Sequence, residues 1–108
     1  MDTDWKKMQR IRVEVEPDLI DLIPDFLTRK QVDLQTLEGA LESGDFTTIA
    51  ALGHKIKGEG GSFGFDAISE ISAALEATAK KSDRESARQL VTDLSDYLKK
   101  IEVVEGPN

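Results

Sequence analysis

Three short interruptions divide a chain that is otherwise patterned for helix, and each of them ends in an aspartate. They are Gly44-Asp45, Gly64-Phe65-Asp66 and Ser82-Asp83. Glycine is favoured just past a helix end, where a left-handed backbone is needed, and aspartate is favoured where the next helix begins, because its carboxylate accepts from exposed backbone N–H groups. Between these breaks the apolar residues recur at helical spacing. The first long segment carries Leu19, Ile20, Ile23, Phe26, Leu27, Leu34, Leu37 and Leu41 after Pro17, which suits a first helical position, and Pro24 is expected to kink or divide it near its first turns. A second helix runs from Phe46 to about Ser62. A third opens at Asp66 with a core stripe of Ile68, Ile71, Leu75 and Thr78, and a fourth follows Asp83 as far as Val104, with Ala87, Leu90, Val91, Leu94, Tyr97, Leu98 and Ile101 near heptad spacing.

Helices joined by only a few residues become antiparallel neighbours. The expected fold is therefore all-α, an up-and-down antiparallel bundle of four main helices. Ahead of it, Arg10 to Glu16 alternates like a short extended segment or lead-in arm, and the closing residues Glu105 to Asn108 read as a disordered tail, which leaves residues 1–104 as one domain. A length of 108 residues suits a single core that buries roughly two-thirds of the unfolded surface. Heptad spacing in the last helix is also what a bundle seam requires, so the chain is expected to be a monomer.

Composition excludes several classes of function. The net charge of -7, from 14 basic and 21 acidic residues, disfavours a nucleic-acid partner. The chain has no cysteine, no long apolar run and no signal-like start, which points to a cytoplasmic protein with neither a disulfide framework nor a membrane segment. Charge is also uneven. Residues 45–65 hold Lys55 and Lys57 against Asp45 and Glu59, a neutral patch on an acidic body, and the one histidine lies in it.

That histidine, His54, sits on the second helix at a defined angle. With about 100° per residue, Ile49, Leu52, Ile56 and Phe63 fall about 160–220° from it, so the imidazole points away from the core stripe and into solvent. On its own face lie Thr47, Ala50, Ala51, Lys57, Gly58 and Gly61, all small except the lysine. Glycine inside a helix costs about 0.5–1 kcal/mol relative to alanine, so Gly53, Gly58, Gly60 and Gly61 together forgo roughly 2–4 kcal/mol of a stability that is about 5–15 kcal/mol in total. Gly60 falls on the buried side, where it permits close helix packing. Gly58 and Gly61 flank the imidazole and leave room for another macromolecule.

One exposed histidine on a convex helix is unsuited to most site chemistry. It has no companion ligands for a metal, no concave pocket with a nucleophile for a triad, and no G-x-G-x-x-G or G-K-[ST] cradle around it. The imidazole itself remains, a nucleophile whose neutral ring offers a nitrogen lone pair near neutral pH. Lys57, one turn on, can offset the charge of about -2 that a phosphoryl group brings. Glu76 is expected level with His54 on the next antiparallel helix, at the edge of the core stripe, where a carboxylate can accept from the inner ring nitrogen, fix the tautomer and leave the outer nitrogen to attack.

The stretch HKIKGEGGSFG, His54 to Gly64, resembles the H-x-x-K-G-x-x-G-S-x-G signature of histidine-containing phosphotransfer (HPt) domains of bacterial phosphorelays, and the helical order resembles theirs throughout. The resemblance implies that His54 is phosphorylated through its outer nitrogen by a phosphoaspartate, that Lys57 steadies the phosphoryl group and that Gly58 leaves space beside the ring. It implies a phosphoryl carrier rather than an enzyme, with receiver domains of response regulators or hybrid histidine kinases as partners. Any Mg²⁺ resides on the partner, and this chain itself has no metal site and no cofactor. Ala50, Ala51, Lys55, Gly58 and Gly61 form the expected partner surface. The stretch also resembles the phosphoacceptor domain of chemotaxis-type histidine kinases, in which a glutamate at the place of Glu76 orients the histidine; an additional histidine found there is Ala73 here. A third alternative is a helical adaptor that is never phosphorylated.

Overall fold

Residues 3–107 are described by a computed structural model, and the expectations that fall on Met1, Asp2 and Asn108 lie outside the described residues. Four helices form the body: α1 (Ile23–Ser43), α2 (Phe46–Phe63), α3 (Asp66–Lys80) and α4 (Arg84–Lys100). The bundle is the one the apolar periodicity predicts, and local chemistry sets its boundaries. Pro24 falls in the first turn of α1, where its missing N–H costs nothing, and the chain before it, Pro17–Leu22, is wound as a 3-10 helix. The proline divides the segment rather than kinking a continuous helix.

Gly44 and Gly64 end α1 and α2 in the left-handed conformation, with φ of 71° and 83°, and each donates its N–H back to carbonyls of the last turn. Asp45 caps α2 by accepting from the Thr48 N–H at 3.1 Å and from its hydroxyl at 2.6 Å. Asp83 caps α4 in the same way through Ser86. These bonds to the charged form hold both carboxyls below their ordinary range.

Phe26 anchors the core, stacked on Phe65 at 5.4 Å between ring centroids and packed against Phe63 at 4.8 Å. Ile49, Ile56, Ile68, Ile71, Leu75 and Leu94 fill the space between the helices. On α3 the expected stripe is shifted at its end, since Ala79 is buried while Thr78 is only half-buried. Thr78 instead bonds its hydroxyl to the Leu75 carbonyl, which satisfies it at the rim.

The ends of the chain differ from expectation. Helix α4 stops at Lys100, and Ile101–Glu105 forms a strand, β2, paired in parallel with β1, Ile11–Val15, in register Ile11 with Ile101 and Val15 with Glu105. The bundle thus carries a two-stranded parallel ribbon that periodicity in α4 had extended as helix to Val104. The run Ile101-Glu102-Val103-Val104 is rich in β-branched residues, and the alternating β1 segment offers it a partner, so pairing wins over another helical turn. An isolated pair of strands is marginal, and this one is held by Ile11 and Val15 packing into the core. Trp5 packs edge-on against Tyr97 at 5.2 Å and closes that end. The expected disordered tail does not begin at 105, because Glu105 lies in β2 and the Gly106 N–H donates to the Val15 carbonyl at 2.8 Å.

Candidate functional site

Helix α2 buries Ile49, Gly53, Ile56 and Gly60, while Leu52 and Phe63 are only half-buried. The buried face is therefore centred about 40° toward the glycine side of the expected stripe. Two close approaches cause that rotation. A Cβ at Gly53 would stand 2.9 Å from the Glu76 backbone nitrogen and 3.0 Å from the Ser72 carbonyl oxygen, and one at Gly60 would stand 3.0 Å from Ile68 Cγ2 and 3.1 Å from the Ser69 nitrogen. Only a residue without a side chain lets α2 lie this close to the backbone of α3.

His54 follows Gly53 and is exposed, its side chain 73% accessible. Because α2 and α3 are in such close contact, its Nδ1 reaches to 3.3 Å from Oε2 of Glu76, a side chain only 16% accessible. The same carboxylate oxygen lies 3.3 Å from Nζ of Lys80, four residues further along α3. Burial raises the Glu76 pKa, yet hydrogen bonding and charge from Lys80, with His54 adding to both, outweigh it, and the carboxyl stays below its ordinary range. The expected level pairing of His54 with Glu76 is present, and it is Nδ1 of the ring, not Nε2, that stands within 3.3 Å of the carboxylate.

The flanking positions divide by what surrounds them. A Cβ at Gly58 would meet nothing within 4 Å, and one at Gly61 only Ser69 Oγ at 3.9 Å, so the packing of this chain does not require glycine at either. Lys57 is exposed, and its ammonium has no ion pair among the described residues. Ala51 is exposed, and half-buried Ala50 lines a cleft with Phe46, Thr47, Ala79, Lys80 and Ser82 beside the histidine face. Lys55 is half-committed elsewhere, with Nζ 3.5 Å from Oδ1 of Asp33. Ala73, where the chemotaxis-type pattern has a second histidine, adds no titratable group to the site.

Three features of the site were not found in the sequence. Lys30, 1% exposed, is buried with its ammonium between the carboxylates of Asp33 and Glu59. Arg29 adds a second bond to Glu59 at 3.0 Å, so the residue between Gly58 and Gly60 ties the glycine-weakened end of α2 to α1. A signal was present, since position 30 fills the gap between Phe26 and Leu34 in the α1 stripe. The inward placement of Gly53 was the second, and the reach of Lys80 to Glu76, an ordinary i,i+4 spacing on a helix, was the third.

Among the described residues no group of three or more His, Asp or Glu side chains is placed to hold a metal ion, and no helix is long and apolar enough to cross a membrane. A family model described as Hpt domain matches residues 21–103, which takes in all four helices and the first three residues of β2. No curated protein and no solved structure matches the chain.

Proposed function

The chain belongs to the Hpt domain family, whose members carry phosphoryl groups in two-component signalling, and on that premise we propose that His54 is the phosphoryl carrier between receiver-domain aspartates. The observation that carries this reading is the 73% exposed imidazole whose Nδ1 alone is engaged, at 3.3 Å, by a carboxylate. The Nε2 lone pair attacks the phosphorus of a partner's phosphoaspartate. A P–N bond forms as the P–O bond to the aspartyl carboxylate breaks, and the carboxylate leaves with the bonding pair. The ring then carries a positive charge, which Glu76 offsets through the proton kept on Nδ1. Reversal onto a second aspartate completes the relay.

Lys57 is free to approach the phosphoryl oxygens, and Gly58 and Gly61 leave space for the partner's loops beside the ring. Ala50 and Ala51 form a small-residue apolar centre, open toward the adjoining cleft, that suits a modest interface, with Lys55 at its rim. The partner supplies Mg²⁺ and the remaining catalytic groups, so the chain is a carrier without independent enzymatic activity, works in the cytoplasm and acts as a monomer. One observation favours a second reading, the phosphoacceptor domain of a chemotaxis-type kinase: the 3.3 Å approach of Glu76 to His54 Nδ1 fits the orienting glutamate that the resemblance to that family implies.

Incubation with a phosphorylated receiver domain tests the proposal. The native chain is expected to take up an acid-labile phosphoryl group, and His54→Gln to take up none while keeping its helical signal in circular dichroism. A chain that binds receivers without taking up label is the adaptor and refutes the relay. Lys57→Ala is expected to slow transfer without preventing it, and an unchanged rate removes the role given to that lysine.

A further inference from the structure

The Glu76 carboxylate is shared. Its Oε2 is 3.3 Å from His54 Nδ1 on one side and 3.3 Å from Lys80 Nζ on the other, and these are the only basic side chains within salt-bridge distance of it among the described residues. A carboxylate that is 16% accessible loses hydration when it is held against the body of the helix pair. Unsupported, it would gain by rotating outward to water, and the imidazole would lose its orienting partner.

We propose that Lys80 is a positioning residue for His54, acting through Glu76: its ammonium holds the carboxylate turned toward Nδ1, so that the ring keeps its proton there and presents Nε2 to the phosphoryl donor. The inference rests on the carrier role of His54. Glutamate preceding lysine at i,i+4 is the favourable order on a helix, and on an open surface such a pair is worth little. Here one end is mostly enclosed and the other is 67% accessible, so the charge of Lys80 is anchored to a carboxylate that water screens poorly. Lys80 also lines the cleft with Phe46, Thr47, Ala50, Ala79 and Ser82, beside the histidine face.

Two readouts test this. The first is the tautomer of His54 in the unphosphorylated full chain, read from imidazole ¹⁵N chemical shifts at a pH where the ring is neutral. The native ring is expected to carry its proton on Nδ1, Lys80→Met to move population to the Nε2–H form, and Lys80→Arg to restore the native spectrum. The second is the rate of phosphorylation by potassium phosphoramidate, a small donor that needs no protein partner. Lys80→Met is expected to slow it about two- to fivefold in the native background, the range an ion pair of this kind can supply, and to leave it nearly unchanged when Glu76 is already glutamine.

An unaltered tautomer in Lys80→Met overturns the proposal, and so does a loss of rate that is the same with and without Glu76, because Lys80 would then act on the donor directly. If the chain takes no phosphoryl group from any donor, the carrier reading of His54 fails, and the tautomer measurement still decides whether Lys80 positions the ring.

Discussion

Two pairs of glycines on one helix do opposite work. Gly53 and Gly60, seven residues apart, face α3 so closely that a methyl group at either would press on backbone or on Ile68 within about 3 Å. Gly58 and Gly61 face outward, where a methyl group would meet nothing nearer than 3.9 Å. The inner pair is explained by this chain alone, because both admit the close approach of α3 and Gly53 stands against the backbone of Glu76 itself. The outer pair has no internal explanation and fits a surface that another protein must approach. Glycine in a helix is therefore not one signal, and what stands opposite the missing Cβ decides its meaning.

The sharpest way to break this comparison is to release the anchor between the two pairs. Lys30→Met leaves Asp33 and Glu59 without their shared buried cation, and it is expected to destabilise the fold by about 3–5 kcal/mol in urea denaturation, with hydrogen exchange rising first over residues 58–63. A loss under about 1 kcal/mol would mean that the network contributes little and that the glycine run needs no tether.

Gly53→Ala comes next, expected to cost about 1–3 kcal/mol as α2 and α3 are forced apart, and to reduce the Nδ1–H tautomer of His54 because the reach to Glu76 lengthens. Gly58→Ala has the opposite sign: stability is expected to rise by about 0.5–1 kcal/mol, because alanine relieves the helix penalty in open space, while transfer from a receiver slows. A faster or unchanged transfer in that variant would remove the clearance argument.

The smallest effect concerns acid. Asp45, Asp83 and Glu76 are all held below their ordinary range in the folded chain, so their contribution is fully present above the ordinary carboxylate range and is lost as pH falls through the lowered folded values. The thermal midpoint is expected to fall in acid, and Asp45→Asn to flatten part of that fall, since asparagine caps a helix equally well without titrating. An acid limb of unchanged slope in that variant would assign the loss to other groups.

Local chemistry made most of the bundle legible. Gly44, Asp45, Gly64 and Asp83 mark the breaks because capping depends on residues within a turn of each other, and Pro24 marks its own boundary. The outward angle of His54 follows from helix geometry alone, and its level with Glu76 from a short turn. What stayed hidden depends on contacts distant in sequence. Ile101 continues the α4 stripe in register, and only β1, about ninety residues earlier, makes it a strand residue. Lys30 reads as polar until Glu59 and Asp33 are found around it. Gly53 reads as a weakened helix position until the backbone of α3 is found against it, which reduces the stability forgone without internal cause to the outer pair, about 1–2 kcal/mol.

The nitrogen that carries phosphorus tests the carrier role most directly. After transfer from a phosphorylated receiver, combined ³¹P and ¹⁵N spectra are expected to show one phosphoryl group on Nε2 of His54, with the proton retained on Nδ1. Phosphorus on Nδ1, or on any other residue, would contradict a ring turned by Glu76 to offer its outer nitrogen.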